Sequence, residues 1–152
     1  MDLTTTCRFL STPTAFLVAG YYASMSQNAV AVLLSQPPKT SLPLFSQIYH
    51  RGFAVVAPGA LIATLAFAYL GYVDDSKQQR RNLYAAAAGL CLAPLILTRL
   101  VMWEGIQRLL GGEVAEAEAK LLLESWIRGN WVRAGLMVAA GGIGMVTTTM
   151  EG

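Results

Sequence analysis

Charged residues in this chain fall in clusters, and the stretches between the clusters are long and apolar. No charge occurs between Arg8 and Lys39, none in 52–73, none in 82–98 and none in 134–150. A hydrocarbon core about 30 Å thick is crossed by about 20 helical residues. The pattern therefore predicts four spans, at 13–35, 52–73, 82–110 and 121–149, in one transmembrane domain covering 1–152. The third continues past Arg99 because apolar residues recur at helical spacing as far as Leu110, and the fourth extends back through Leu121. Unpaired backbone groups are not tolerated in lipid, which makes each span a helix. The alternating ten-residue segments of a membrane β-barrel are not present. The expected fold class is an all-α, integral membrane four-helix bundle.

The polar breaks agree with this division. Gln36-Pro37-Pro38-Lys39-Thr40-Ser41 is a turn-forming separator between the first two spans. The short run from Asp74 to Arg81 makes the second and third spans antiparallel neighbours, and Gly111-Gly112 ends the third. Glu113 to Lys120 places acids near the start of the fourth helix, where the macrodipole favours them. Gly135, Ala139 and Gly142 read as a close helix-packing face. Arg8 followed by an apolar stretch has the outline of a signal peptide. The stretch runs without a polar break to Leu34, too long for a cleaved segment, so it is expected to be retained.

Composition narrows the function. The chain has 152 residues, of which 55% are hydrophobic and 13% charged, against about 25% charged in soluble domains. A net charge of +2 without a basic block excludes a nucleic-acid surface. Cys7 lies before the first span and Cys91 inside the third, so no disulfide is expected between them. The lack of Cys-x-x-Cys argues against a thiol oxidoreductase. One histidine, His50, excludes a bis-histidine haem and disfavours a His-rich iron or copper site. No glycine-rich nucleotide motif occurs. An enzyme of this composition is expected to work with no cofactor and no metal.

Four antiparallel spans bring the end of the first, the start of the second, the end of the third and the start of the fourth to one side. These segments carry Gln27 and Asn28; Tyr49, His50 and Arg51; Arg99, Trp103, Glu104 and Gln107; and Trp126, Asn130, Trp131 and Arg133. Trp126, Asn130, Arg133 and Met137 fall at i, i+4, i+7 and i+11, one stripe of a helix. Gly20, Ser24, Gln27 and Ala31 form a comparable stripe on the first span. Charged groups at membrane depth cost about 2.5–3.5 kcal/mol each and usually face a cavity or a partner. Bland roles exist for each residue alone. Glu104 and Arg108 form an i, i+4 pair in the favourable order, Arg133 can snorkel, and the tryptophans suit an aromatic belt. Their coincidence at one end favours a site.

Two segments give the chain a resemblance to the anthrone oxygenase family, small four-span membrane proteins of fungal polyketide gene clusters. One is Tyr49-His50-Arg51-Gly52 followed by Pro58, opening the second span. The other is Trp126-x3-Asn130-x2-Arg133, opening the fourth, and the "RNLYAAAAGLCLAPLIL" opening of the third is also similar. The resemblance implies oxidation of an anthrone to an anthraquinone by O2 without metal or flavin. His50 would be the base, Arg133 and Asn130 would hold the oxyanion, and Trp126 would stack on the planar rings. Gln27, Asn28, Tyr49, Arg99 and Trp103, brought to the same end by the topology, are the expected substrate-binding residues. The implied partners are a hydrophobic aromatic polyketide and the lipid bilayer of the endoplasmic reticulum or another endomembrane.

One departure bears on the reaction. The family often has a Thr-Asn pair near the end of the third helix, where this chain reads "TRLVMWEGIQRLL" with Trp103 and Glu104. A buried Glu104 acid would suit an epoxide hydrolase or cyclase acting on a polyketide-derived epoxide or related intermediate. A non-enzymatic structural or transport protein is the further alternative, with Glu104 as a proton site. Flanking Lys and Arg divide almost evenly between the two sides, which leaves orientation undecided. A homo-oligomer is left open.

Overall fold

The computed structural model describes residues 2–75 and 78–150, and no strand occurs among them. The described residues form four helical rods. Rod one comprises α1 (Leu3–Ser24), a π-helical segment (Met25–Val30) and α2 (Ala31–Leu33). Rod two is the single helix α3 (Pro38–Val73). Rod three runs through α4 (Gln78–Leu97), a second π-helical segment (Thr98–Met102) and α5 (Trp103–Gly111). Rod four is α6 (Glu116–Thr149).

Local sequence explains the boundaries. Asp2 caps α1, its carboxylate accepting a 2.7 Å hydrogen bond from the Thr5 N–H. Pro37 and Pro38 start α3, where a missing N–H and a preset φ are harmless. Rod three stops because Gly112 takes φ +75°, the left-handed conformation that closes helices.

Rods one and three each pack against rods two and four, so the four stand in a ring. Among the described residues, Pro38–Val73, Gln78–Gly111 and Glu116–Thr149 are long and apolar enough to cross a membrane. Rod one is more polar in its first half, with Thr4, Thr5, Thr6, Ser11, Thr12 and Thr14. Helices two to four begin earlier than the charge-free runs suggest. At ~1.5 Å per residue the charge-free stretch 52–73 is ~32 Å long, already a bilayer core. The polar turns 38–51 extend α3 beyond it.

Two apolar clusters hold the bundle. One gathers Val18, Tyr22, Val56, Phe67, Tyr84 and Met137 within the charge-free half. The other gathers Leu42, Phe45, Ile106, Leu109, Leu123 and Trp126 in the polar-flanked half. Both thiols, Cys7 and Cys91, are free and buried in the first cluster.

The packing glycines differ from the expected face. Gly135 and Gly142 have open space where a Cβ would stand. A Cβ on Gly141 would lie 2.8 Å from Phe16, and one on Gly144 would lie 2.7 Å from Phe67. The face that meets rods one and two lies a fraction of a turn from the one read off the sequence. Gly144→Ala is expected to lower the thermal midpoint, since overpacking costs about 1–3 kcal/mol. Gly135→Ala should raise it slightly, because a helix gains about 0.5–1 kcal/mol from the exchange. A melting series in detergent checks both signs.

Candidate active site

A cavity of about 440 Å³ opens where one apolar cluster gives way to the other, within the usual range for small-molecule sites. Its wall is almost wholly apolar or aromatic: Met25, Ile48, Val56 and Leu95 lie around Tyr21, Tyr22, Tyr49, Trp103 and Trp126, and the exposed Phe53 and Leu61 stand at its rim. Both π-helical segments border it. Met25 comes from the first, and Thr98 and Arg99 from the second. Such segments recur at functional sites because the wide turn redirects side chains.

The polar end is built on α6. Trp126, Asn130 and Arg133 are 7%, 1% and 4% exposed, so all three are withdrawn from solvent. Arg133 donates to the Thr98 hydroxyl at 2.8 Å and to the Asn130 side-chain oxygen. Thr98 in turn donates to the Pro94 carbonyl at 2.7 Å, which fixes its lone pairs towards Arg133. The guanidinium carbon lies 4.8 Å from the Tyr22 ring centre and 5.6 Å from that of Trp126. Cation–π contact of this kind steadies a charge without neutralising it.

Three donors at this end lack an acceptor among the described residues: Arg133 Nε, Asn130 Nδ2 and Trp126 Nε1. A buried donor left unmade costs about 1–3 kcal/mol, more when charged. No carboxylate lines the cavity among the described residues. Donors without acceptors beside an uncompensated cation suit an anionic oxygen on a ligand.

Six of the ten expected site residues meet here: Tyr49, Arg99, Trp103, Trp126, Asn130 and Arg133. The other four lie elsewhere. His50 is exposed, with Nδ1 2.7 Å from the Ser46 carbonyl oxygen, and does not line the cavity. One residue is a 100° turn on a helix, so with Tyr49, Gly52 and Val56 turned towards the cavity, His50 faces out. Glu104 follows Trp103 in the same way and borders a separate groove between rods three and four with Arg108 and Arg128. Arg108 forms an ion pair with Glu118. Gln27 and Asn28 are exposed on the π-helical segment whose buried residues are Ser26 and Val30. The stripe Gly20, Ser24, Gln27 and Ala31 thus looks away from the core, which receives Val18, Tyr22, Ser26, Val30 and Leu33 instead.

Tyr21, Tyr22 and Thr98 are additions that sequence reading passed over. The tyrosines sit in an apolar run whose inner face carries no periodic signal. Gly52 explains part of the Tyr-x-x-Gly motif, because a Cβ there would stand 3.3 Å from the Tyr21 hydroxyl. Its absence lets Tyr21 lie directly on α3.

The sequence profile of the anthrone oxygenase family matches residues 45–143. The chain belongs to the anthrone oxygenase family. The matched segment contains Tyr49, Thr98, Trp126, Asn130 and Arg133, so the polar end of the cavity lies inside the family's own region. Family membership supports a polyketide-tailoring enzyme. No curated protein and no solved structure matches the chain.

Proposed function

We propose that this anthrone oxygenase family member oxidises an anthrone-like aromatic polyketide to the corresponding quinone with O2, using no cofactor, and that all four rods cross the membrane. The observation that carries the reading is the trio of buried, unpartnered donors on α6. An anthrone loses a proton from its ring methylene, and the electron pair moves onto the carbonyl oxygen as the rings aromatise. Arg133, Asn130 and Trp126 supply preorganised donors for that oxyanion, in a site where donors are worth far more than in water.

The electron-rich anion transfers one electron to O2, and the resulting pair combines at the former methylene carbon as a peroxide. Loss of the remaining hydrogen from that carbon breaks the O–O bond and leaves the second carbonyl. Both carbon-bound protons end in one water molecule, so anthrone plus O2 gives quinone plus water. The aromatic wall from Tyr22, Tyr49 and Trp126 suits flat rings. With His50 outside the cavity lining, the donors act by making the ring methylene acidic enough for water to take its proton, which is returned when the second product, water, forms.

Glu104 lies outside the cavity lining, and no observation favours the epoxide-opening or cyclising alternative. Purified protein should consume O2 and anthrone in equal amounts and stop under anaerobic conditions. Treatment with a chelator should leave turnover unchanged. Glu104→Gln should retain most activity, because a groove-lining carboxylate touches no reacting atom. An O2-independent reaction abolished by Glu104→Gln would replace the oxygenase reading with acid catalysis.

A further inference from the structure

The residues lining the cavity divide sharply by exposure. Those from rods one and four are buried or half-buried: Tyr21, Tyr22 and Met25, then Trp126, Asn130 and Arg133. Every exposed one, Phe53 and Leu61 on α3 and Arg99 and Trp103 on rod three, belongs to the other two rods. In a ring of four rods this places the polar end at the back wall and the opening between rods two and three. The opening is bounded at both ends. Towards the Asp74 connection, the Tyr84 Cβ lies 3.2 Å from where a Cβ on Gly71 would be, so the rods are zipped. Towards the other end, Phe45 and Leu42 share a cluster with Ile106 and Leu109.

The window therefore has a depth. It runs from Phe53, at the edge of the charge-free stretch, inward to Leu61, about 12 Å further along the helix at 1.5 Å per residue. Its outer edge carries the pair expected at a headgroup boundary. Arg99 lies over the Trp103 ring, 4.9 Å from its centre, an aromatic anchor with a snorkelling cation. Its inner edge offers only hydrocarbon.

We infer that the cavity opens sideways into the acyl chains between α3 and rod three, and that Phe53 and Leu61 set the width of the flat molecule admitted from the bilayer. This route rests on the proposal above that the rods cross the membrane, and on the cavity geometry; it does not depend on which reaction the site performs. A residue at a mouth alters the barrier to passage and not the bound state. Narrowing it slows association and dissociation equally and leaves affinity unchanged, whereas a residue of the binding site changes affinity.

The test uses a monohydroxyanthraquinone as probe, loaded in vesicles and mixed with protein in lipid nanodiscs, with tryptophan quenching read by stopped flow. Phe53→Trp and Leu61→Trp are expected to slow both rates about tenfold with Kd within about twofold of wild type. Leu17→Trp, on the lipid-facing side of rod one and 74% exposed, should change neither. Rates unchanged in both window variants, or slowed equally by Leu17→Trp, would overturn the inference. A second measurement needs no ligand and stands even if the probe fails to bind. In a Trp126→Phe, Trp131→Phe protein, Trp103 should be quenched strongly by lipids brominated on the upper acyl chain and weakly by aqueous iodide. The reverse order would mean that the mouth faces water, and the lateral route would be wrong.

Discussion

Arg133→Met is expected to lower anthrone turnover by about two to three decades, the usual result of deleting one oxyanion donor, or about 2.7–4 kcal/mol of barrier. The thermal midpoint should move by no more than a few degrees, because two effects oppose. Methionine removes a guanidinium whose desolvation is only partly offset by Thr98, Asn130 and the Tyr22 ring. It also leaves the Asn130 oxygen without its donor, at about 1–3 kcal/mol. A large loss of rate in a protein that melts normally separates a catalytic arginine from a structural one. Steady-state O2 consumption and a detergent melting curve on the same preparation check both halves.

Asn130→Asp should be more damaging to turnover and kinder to stability. The side-chain oxygen that Arg133 already bonds would become a carboxylate in the same place, so the buried cation acquires a counter-charge in good geometry. That charge sits where the substrate oxyanion must form, and the donor Nδ2 is lost as well. Turnover is expected to fall by at least about three decades, while the thermal midpoint rises. Asn130→Leu, which removes the donor without adding charge, should fall by less. Equal losses in the two variants would show that shape at position 130 matters and its charge does not.

The fold was legible in the sequence to the extent that charge marks the limits of apolar helices. Four rods follow from four charge-free runs, and the double proline at 37–38 and Gly112 end elements where their backbone chemistry requires it. The extra turns of α3 were not legible, because 38–51 mixes charge with an inward apolar stripe and opens on a Pro-Pro turn. On α6 that stripe is distinctive. Trp126, Asn130, Arg133 and Met137 stand out from polar neighbours at helical spacing, and all four are buried.

On rod one the contrast vanishes. Tyr22 and Ser26 differ little from Gly20 and Ser24 in polarity, and the π-helical segment shifts the inner face partway along. Phase could not be read there, which is why Gln27 and Asn28 were placed inside and Tyr22 was missed. His50 and Glu104 share the polar end of the bundle with the site residues and have suitable chemistry, but an end of a bundle is not a face of a helix. One residue along a helix is a 100° rotation, and it carries both out of the cavity.

The proposed oxyanion site can be tested without turnover. A monohydroxyanthraquinone is yellow when neutral and red as its phenolate, so its colour reports which form the cavity holds. Donors without acceptors beside an unneutralised Arg133 favour the charged form. Bound to the protein near neutral pH the probe should therefore be red, with an apparent pKa below its value in detergent micelles. In Arg133→Met the bound probe should turn yellow and its pKa return to the micellar value or above. A probe that binds wild type as the neutral yellow form, or titrates identically in both proteins, would contradict an oxyanion site at Arg133.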